Sequence, residues 1–305
     1  MSISFYVKNK KKFLGYEPVL NVETALSLLD KELYSYNTGN IDINDLLLSP
    51  VSNYQCFLIG DGKESARGFE LYYDNKNKNY SIRVFTPSSR EDWLLALEYI
   101  KALAKKFDSK IISETGEEYT VDNIDKFDYE GDILYGIEGI SSRIKGEDST
   151  LYSIFGINRI VSFNQEMIDK IENSNSPIDT FSNMIKEIQY LDAFSANQRF
   201  FRNKEDGKII GTYTLTQNLR TILPYKPSVE FENSDMVKNE DIAFWNIGLV
   251  TIDRDENDRN SYNVAAHLDY DDFIKNLPEN KYRFIDASYI MVEPLNREEL
   301  LGLVK

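Results

Sequence analysis

Two clusters of carboxylates are the residues in this chain whose type and spacing could do chemistry. Asp253, Asp255 and Asn257 stand at alternate positions, the order in which a calcium loop opens, and Asp269-Tyr270-Asp271-Asp272 places three acids in four residues. Paired carboxylates bind magnesium or calcium, or run general acid and base steps. Asp253, Asp255, Asp269, Asp271 and Asp272 therefore define one functional alternative, a carboxylate- or metal-dependent hydrolase. Local sequence speaks against it. Asp258 stands where a calcium loop needs glycine, and Val264 stands where it needs the bidentate glutamate. Asp269 also reads as the N-cap of a helix from Tyr270 to Asn276, with Asp271 and Asp272 in the first turn, where the helix dipole favours acids.

Other chemistry is scarcer. His267 is the single histidine and Cys56 the single cysteine, so two-histidine zinc sites, thiolate-rich metal sites and intrachain disulfides are excluded. Cys56 lies in the apolar run to Ile59 and reads as a buried, reduced thiol. His267 lies two residues before Asp269, but no G-x-S-x-G elbow supplies a nucleophile for the pair. Gly60-Asp61-Gly62-Lys63-Glu64-Ser65 imitates a phosphate loop, yet Phe57 and Glu64 replace the required glycine and hydroxyl. It reads as a hairpin turn. Pro87-Ser88-Ser89-Arg90 is better placed for an anion, although Glu91 and Asp92 already occupy that field. No cofactor is expected.

The strongest compositional signal is acidity. The chain carries 50 acids against 35 bases in 305 residues, which is a poor basis for holding nucleic acid, whose affinity comes largely from phosphate neutralisation. Between Glu114 and Glu138 nine carboxylates face the single Lys126. Glu114, Glu117, Glu118, Asp122 and Asp125 are the candidate surface for a basic protein partner. On the helix that begins at Arg90, Leu95 and Tyr99 fall on the side opposite Trp93 and join this candidate surface, unless a second layer of the same domain covers them. The favoured function is an intracellular binding or regulatory protein with an acidic, aromatic-rich surface. A scaffold without ligand is the remaining alternative.

The elements that must position these residues are organised around Tyr80 to Ser113. Tyr80, Ile82 and Val84 alternate with Ser81, Arg83 and Phe85 as a strand does, and Thr86-Pro87 ends the ladder. Ser89 caps a helix in which Trp93, Leu97, Ile100, Ala104 and Phe107 form one stripe. Lys110-Ile111-Ile112 then returns parallel to the first strand, a β-α-β unit for which a right-handed crossover is the default. An opening hairpin through Phe13 and Leu14, a helix capped by Asn21, and a meander over Gln55 to Phe85 precede it. Thr120 caps a short helix to Phe127, and Tyr129 to Asn158 has no sustained period. A helix announced by Ser176-Pro177, two hairpins, one long strand over Tyr282 to Val292 and a helix capped by Asn296 follow. Strand, proline, cap, arginine and two acids recur at Pro87 to Asp92 and at Pro294 to Glu299. The fold class is α+β, with mixed, mainly antiparallel sheets and one β-α-β crossover unit in the first half. Domains are expected at 1–150 and 151–305.

With 42% hydrophobic residues and no apolar run near the roughly 20 residues of a membrane span, the composition predicts a globular cytoplasmic protein without a signal peptide. The opening Phe5-Tyr6-Val7-Lys8-Asn9-Lys10, then Phe13-Leu14-Gly15, the segment Thr24 to Leu29 and the Asp92-Trp93 helix resemble an uncharacterised bacterial family of similar length. The resemblance spans the whole chain. It implies a soluble cytosolic protein of unknown function and carries over no catalytic residue.

Overall fold

Strands in which buried side chains alternate with partly buried ones, most regularly in Phe69–Asp74, are broken by turn formers and build one large sheet in the first half of the chain. A computed structural model describes residues 1–39, 41–146, 150–204 and 206–304. Two compact units divide it, Met1–Tyr190 and Leu191–Lys305. The first unit runs β1 (Ser2–Lys8), α1 (Val22–Leu26), β2 (Leu33–Ser35), α2 (Ile43–Leu48), β3 (Phe57–Asp61), β4 (Phe69–Asp74) and β5 (Asn79–Phe85). It continues with α3 (Arg90–Phe107), β6 (Ile111–Ser113), β7 (Glu118–Tyr119), α4 (Tyr129–Lys145), β8 (Tyr152–Phe155), β9 (Ile160–Phe163), α5 (Gln165–Glu172) and α6 (Pro177–Gln189). Its seven-stranded sheet has the order β2-β3-β4-β5-β1-β6-β7.

The unit from β5 through α3 to β6 differs from expectation in one respect. β5 and β6 are both antiparallel to β1, so they share a direction, but β1 lies between them. Every neighbouring pair in this sheet is therefore antiparallel. The cause lies in β1, whose buried Phe5 and Val7 belong under the helix. Phe5 meets the Trp93 ring edge-on at 6.4 Å, and Trp93 stacks on Phe127 at 5.2 Å.

The Trp93 stripe of α3 is buried, and so is the opposite side. Leu95 and Tyr99 are 5% and 0% exposed. The Tyr99 hydroxyl donates to the Ala25 carbonyl at 3.0 Å and its ring packs on Phe69. Neither residue can belong to a partner surface, because a second layer of the same unit covers them.

Several segments fold otherwise than their sequence reads. Phe13 and Leu14 are exposed in a turn closed by the Lys12 amide on the Gly15 carbonyl, rather than in a strand. Between Thr120 and Phe127 only Ile124–Lys126 is helical, as one 3-10 turn. Tyr129 to Lys145, with no evident period, is the long helix α4, which buries Ile133, Ile137, Ile140 and Ile144. Its glycines hide that stripe. One of them is structural, since a Cβ on Gly136 would lie 2.5 Å from the Pro87 nitrogen. The break expected at residue 150 falls at Tyr190 instead, because α5 and α6 pack on α4, and α6 also packs on α3.

The second unit contains β10 (Phe194–Ser195), β11 (Arg199–Arg202), β12 (Ile209–Thr216), β13 (Thr221–Pro224), β14 (Ile242–Ile252) and β15 (Tyr262–Asp269). α7 (Tyr270–Asn276), β16 (Tyr282–Phe284), β17 (Tyr289–Val292) and α8 (Arg297–Leu301) complete it. Two four-stranded sheets result, β10-β13-β17-β16 and β11-β12-β14-β15, with parallel pairs at β10/β13 and β12/β14. Tyr213, Leu223, Ile247, Leu249, Phe273 and Ile290 lie in their shared core. The expected single strand over 282–292 is a hairpin, because the Asp286 carboxylate accepts the amides of Ser288 and Tyr289 and turns the chain. The α+β class holds, with mainly antiparallel sheets.

Candidate functional site

The acidic candidates lie at the β7 edge of the large sheet and on the turn that follows. Glu114, Glu117, Glu118, Asp122 and Asp125 are all exposed. Their charges are not equally free. Glu118 pairs with Lys110, Asp125 with Lys101, and Glu130 beyond them with Arg90. Glu114 accepts the Ser4 amide at 2.9 Å, so it also ties β1 to the loop after β6. The Glu117 carboxylate accepts the Tyr119 hydroxyl, and Asp128 caps α4 through the Gly131 amide. The aromatic share of this surface turns partly inward, since the Tyr119 ring packs on Phe5 and Phe127.

The five hydrolase candidates are not gathered into a site. Asp253 pairs with Arg297 at 2.8 Å and accepts from Asn263. Asp255 accepts the Asn257 amide, Asp269 caps α7 through the amides of Asp271 and Asp272, and Asp272 pairs with Lys275. Among the described residues, no group of three or more His, Cys, Asp or Glu is placed to hold a metal ion. Local capping and turn chemistry accounts for the spacing that imitates a metal loop. Asp269 is likewise spent on its cap rather than on His267.

Phosphate-like features are satisfied internally. Asp61 Oδ1 accepts the amides of Lys63 and Glu64, so the Gly60 to Ser65 turn points its donors at its own carboxylate. At the start of α3, the Ser88 and Ser89 hydroxyls donate to Asp92, the Arg90 amide donates to Ser182, and the Arg90 guanidinium is held by Asp179 and Glu130. Both hydroxyls, the Arg90 amide and the Arg90 guanidinium are thus already engaged within the protein. Asp92 itself is fully buried and accepts the amides of Ala66, Arg67 and Gly68. Cys56 is half-buried rather than buried, and burial followed by Glu70 pushes its thiol pKa up.

A cleft that sequence reasoning missed opens at β2, the edge opposite β7. Its volume is about 630 Å³, and Tyr34, Tyr36, Tyr190, Glu32, Asp61 and Lys63 line it. Tyr34 and Tyr36 stand two apart on β2 and its continuation, and Gly60 and Gly62 stand two apart on and just beyond β3. That spacing is what makes room. A Cβ on Gly62 would lie 2.7 Å from the Tyr34 ring, and one on Gly60 would lie 3.2 Å from the Tyr36 ring. The Tyr190 hydroxyl donates to the Ser65 carbonyl at 2.8 Å, which fixes the third ring on the same turn. Two carboxylates, Glu32 and Asp61, and two lysines, Lys31 and Lys63, stand around the rings. Glu32 first raises the Tyr34 pKa, whereas burial and then Asp61 raise that of Tyr36. Burial, with help from Asp92, Asp61 and Glu64, raises that of Tyr190. The paired spacings Tyr34-Ser35-Tyr36 and Gly60-Asp61-Gly62 were the available signal.

Among the described residues, no helix is long and apolar enough to cross a membrane. No curated protein and no solved structure matches the chain. A family model, described as a domain of unknown function, matches nearly all of it, in keeping with the resemblance read from its segments. The chain belongs to that family, Domain of unknown function (DUF4299), over residues 2–303.

Proposed function

We propose that this chain is a cytoplasmic binding or regulatory protein whose acidic surface, from Glu114 to Glu130, meets a basic protein partner. One observation carries the reading. Among the described residues, no lysine or arginine pairs with the exposed carboxylates of Glu114, Glu117, Asp122 and Asp128, while their neighbours Glu118, Asp125 and Glu130 are paired. Unanswered charge of one sign steers an oppositely charged surface into encounter and raises the association rate.

The test compares the full chain with the combined variant Glu117→Gln, Glu118→Gln, Asp122→Asn and Asp125→Asn. Glu114 is left in place because it holds the Ser4 amide. Proteins captured from the native cytoplasm are identified, and association with a purified basic candidate is timed at low and high salt. Association should slow several-fold in the variant and with added salt, since charges beyond about 10 Å are largely screened at 0.1 M. A salt-independent rate that is equal in both proteins would overturn the reading.

A further inference from the structure

We propose that the Tyr34, Tyr36 and Tyr190 cleft is a binding site for an alkylammonium cation, borne by a free amine or by a lysine side chain. The cleft lies at the β2 edge, the opposite end of the sheet from β7, so it stands independently of the acidic surface above. Aromatic faces attract cations through their quadrupole, and nearby carboxylates add to that attraction. Both are present. Glu32 and Asp61 line the cleft, and among the described residues neither pairs with a lysine or arginine. Lys31 at the rim is neutralised by Glu98, which leaves Lys63 as the lining cation without an ion pair among the described residues.

The site is held in place rather than merely exposed. Gly60 and Gly62 admit the Tyr36 and Tyr34 rings against the turn, and the Tyr190 hydroxyl is anchored on Ser65. An anion finds little there, because the Lys63 and Glu64 amides already serve Asp61. A volume of about 630 Å³ exceeds one ammonium group and falls within the roughly 300 to 1,000 Å³ of small-ligand sites, leaving room for the alkyl body.

Calorimetric titration of the full chain at low salt would use n-butylammonium, the blocked peptide acetyl-Gly-Lys-Gly-amide and its norleucine counterpart. At least one cation should bind, with the norleucine peptide at least roughly tenfold weaker than the lysine peptide or butylammonium. Tighter binding of the peptide assigns the cation to a lysine side chain, and tighter binding of butylammonium assigns it to a free amine. Tyr34→Ala, at an exposed ring, should weaken binding several-fold, while Lys63→Ala should strengthen it by removing a like charge. The acidic-surface variant should bind these probes unchanged, which separates failure here from failure of the reading above. No binding by either cation, equal binding by norleucine, or indifference to both Tyr34→Ala and Lys63→Ala would overturn the proposal.

Discussion

The Asp92 carboxylate accepts the backbone amide of Gly68 at 2.9 Å and thereby ties the first turn of α3 to the loop between β3 and β4. Its second oxygen takes the Arg67 amide at 2.8 Å and the Ser89 hydroxyl at 2.8 Å. Gly68 has φ +64°, and a Cβ there would lie 2.3 Å from the Ile59 carbonyl oxygen, so the loop has one way to reach the carboxylate. Asp92→Ala strands several buried donors at once and should cost at least roughly 3 kcal/mol. Asp92→Asn keeps one acceptor and should cost less. Urea titration checks both, and equal tolerance of the two variants would contradict the role.

Trp93→Ala should cost about 3 to 5 kcal/mol, as large core truncations do. Ser89→Ala should cost about 1 kcal/mol through the lost cap, and somewhat more because its buried hydroxyl also serves Asp92. The order of the two unfolding midpoints is the measurement; a reversal would contradict this packing.

Leu95 and Tyr99 are interior, so their substitution should register in stability rather than in association. Leu95→Ala should cost about 2 to 5 kcal/mol. Tyr99→Phe should cost about 1 kcal/mol, because it deprives the buried Ala25 carbonyl of its donor. An unchanged melt in Leu95→Ala would return that side of α3 to the surface.

Burial pushes the Asp132 carboxyl up to about 6, against the opposing donation of the Thr86 hydroxyl. An unfolded aspartate titrates near about 3.9. Between these values the folded state binds more protons, so this group's contribution to stability falls as pH rises through the window. Asp132→Asn should therefore gain on the natural chain between pH ~4 and ~7. Paired unfolding midpoints across that range decide it, and a constant difference would be the contrary result.

Acid-edge residues should behave differently from the buried ones. Glu117→Gln with Asp122→Asn should move the unfolding midpoint by no more than roughly 0.5 kcal/mol, the scale of surface substitutions. A larger loss would assign those side chains to the fold.

Local chemistry was legible in the sequence. Ser89 and Asn296 cap their helices as read, the meander strands β3 to β5 follow their alternation, and Pro177 opens α6. Each of these depends on neighbours within a few residues. Longer-range outcomes were not legible. The place of β1 between β5 and β6, the burial of Leu95 and Tyr99, and the inclusion of α5 and α6 in the first unit depend on partners far along the chain. Asp92 shows the difference most clearly. By sequence it is one more acid in a helix's first turn; in the fold it is a buried acceptor for a loop some 24 residues away. The tyrosine cleft joins residues 34, 36, 61 and 190, and only tertiary structure could bring them to one sheet edge. A helix cap is decided by the two or three residues beside it, whereas a site assembled across strands is decided by which surfaces the core leaves uncovered.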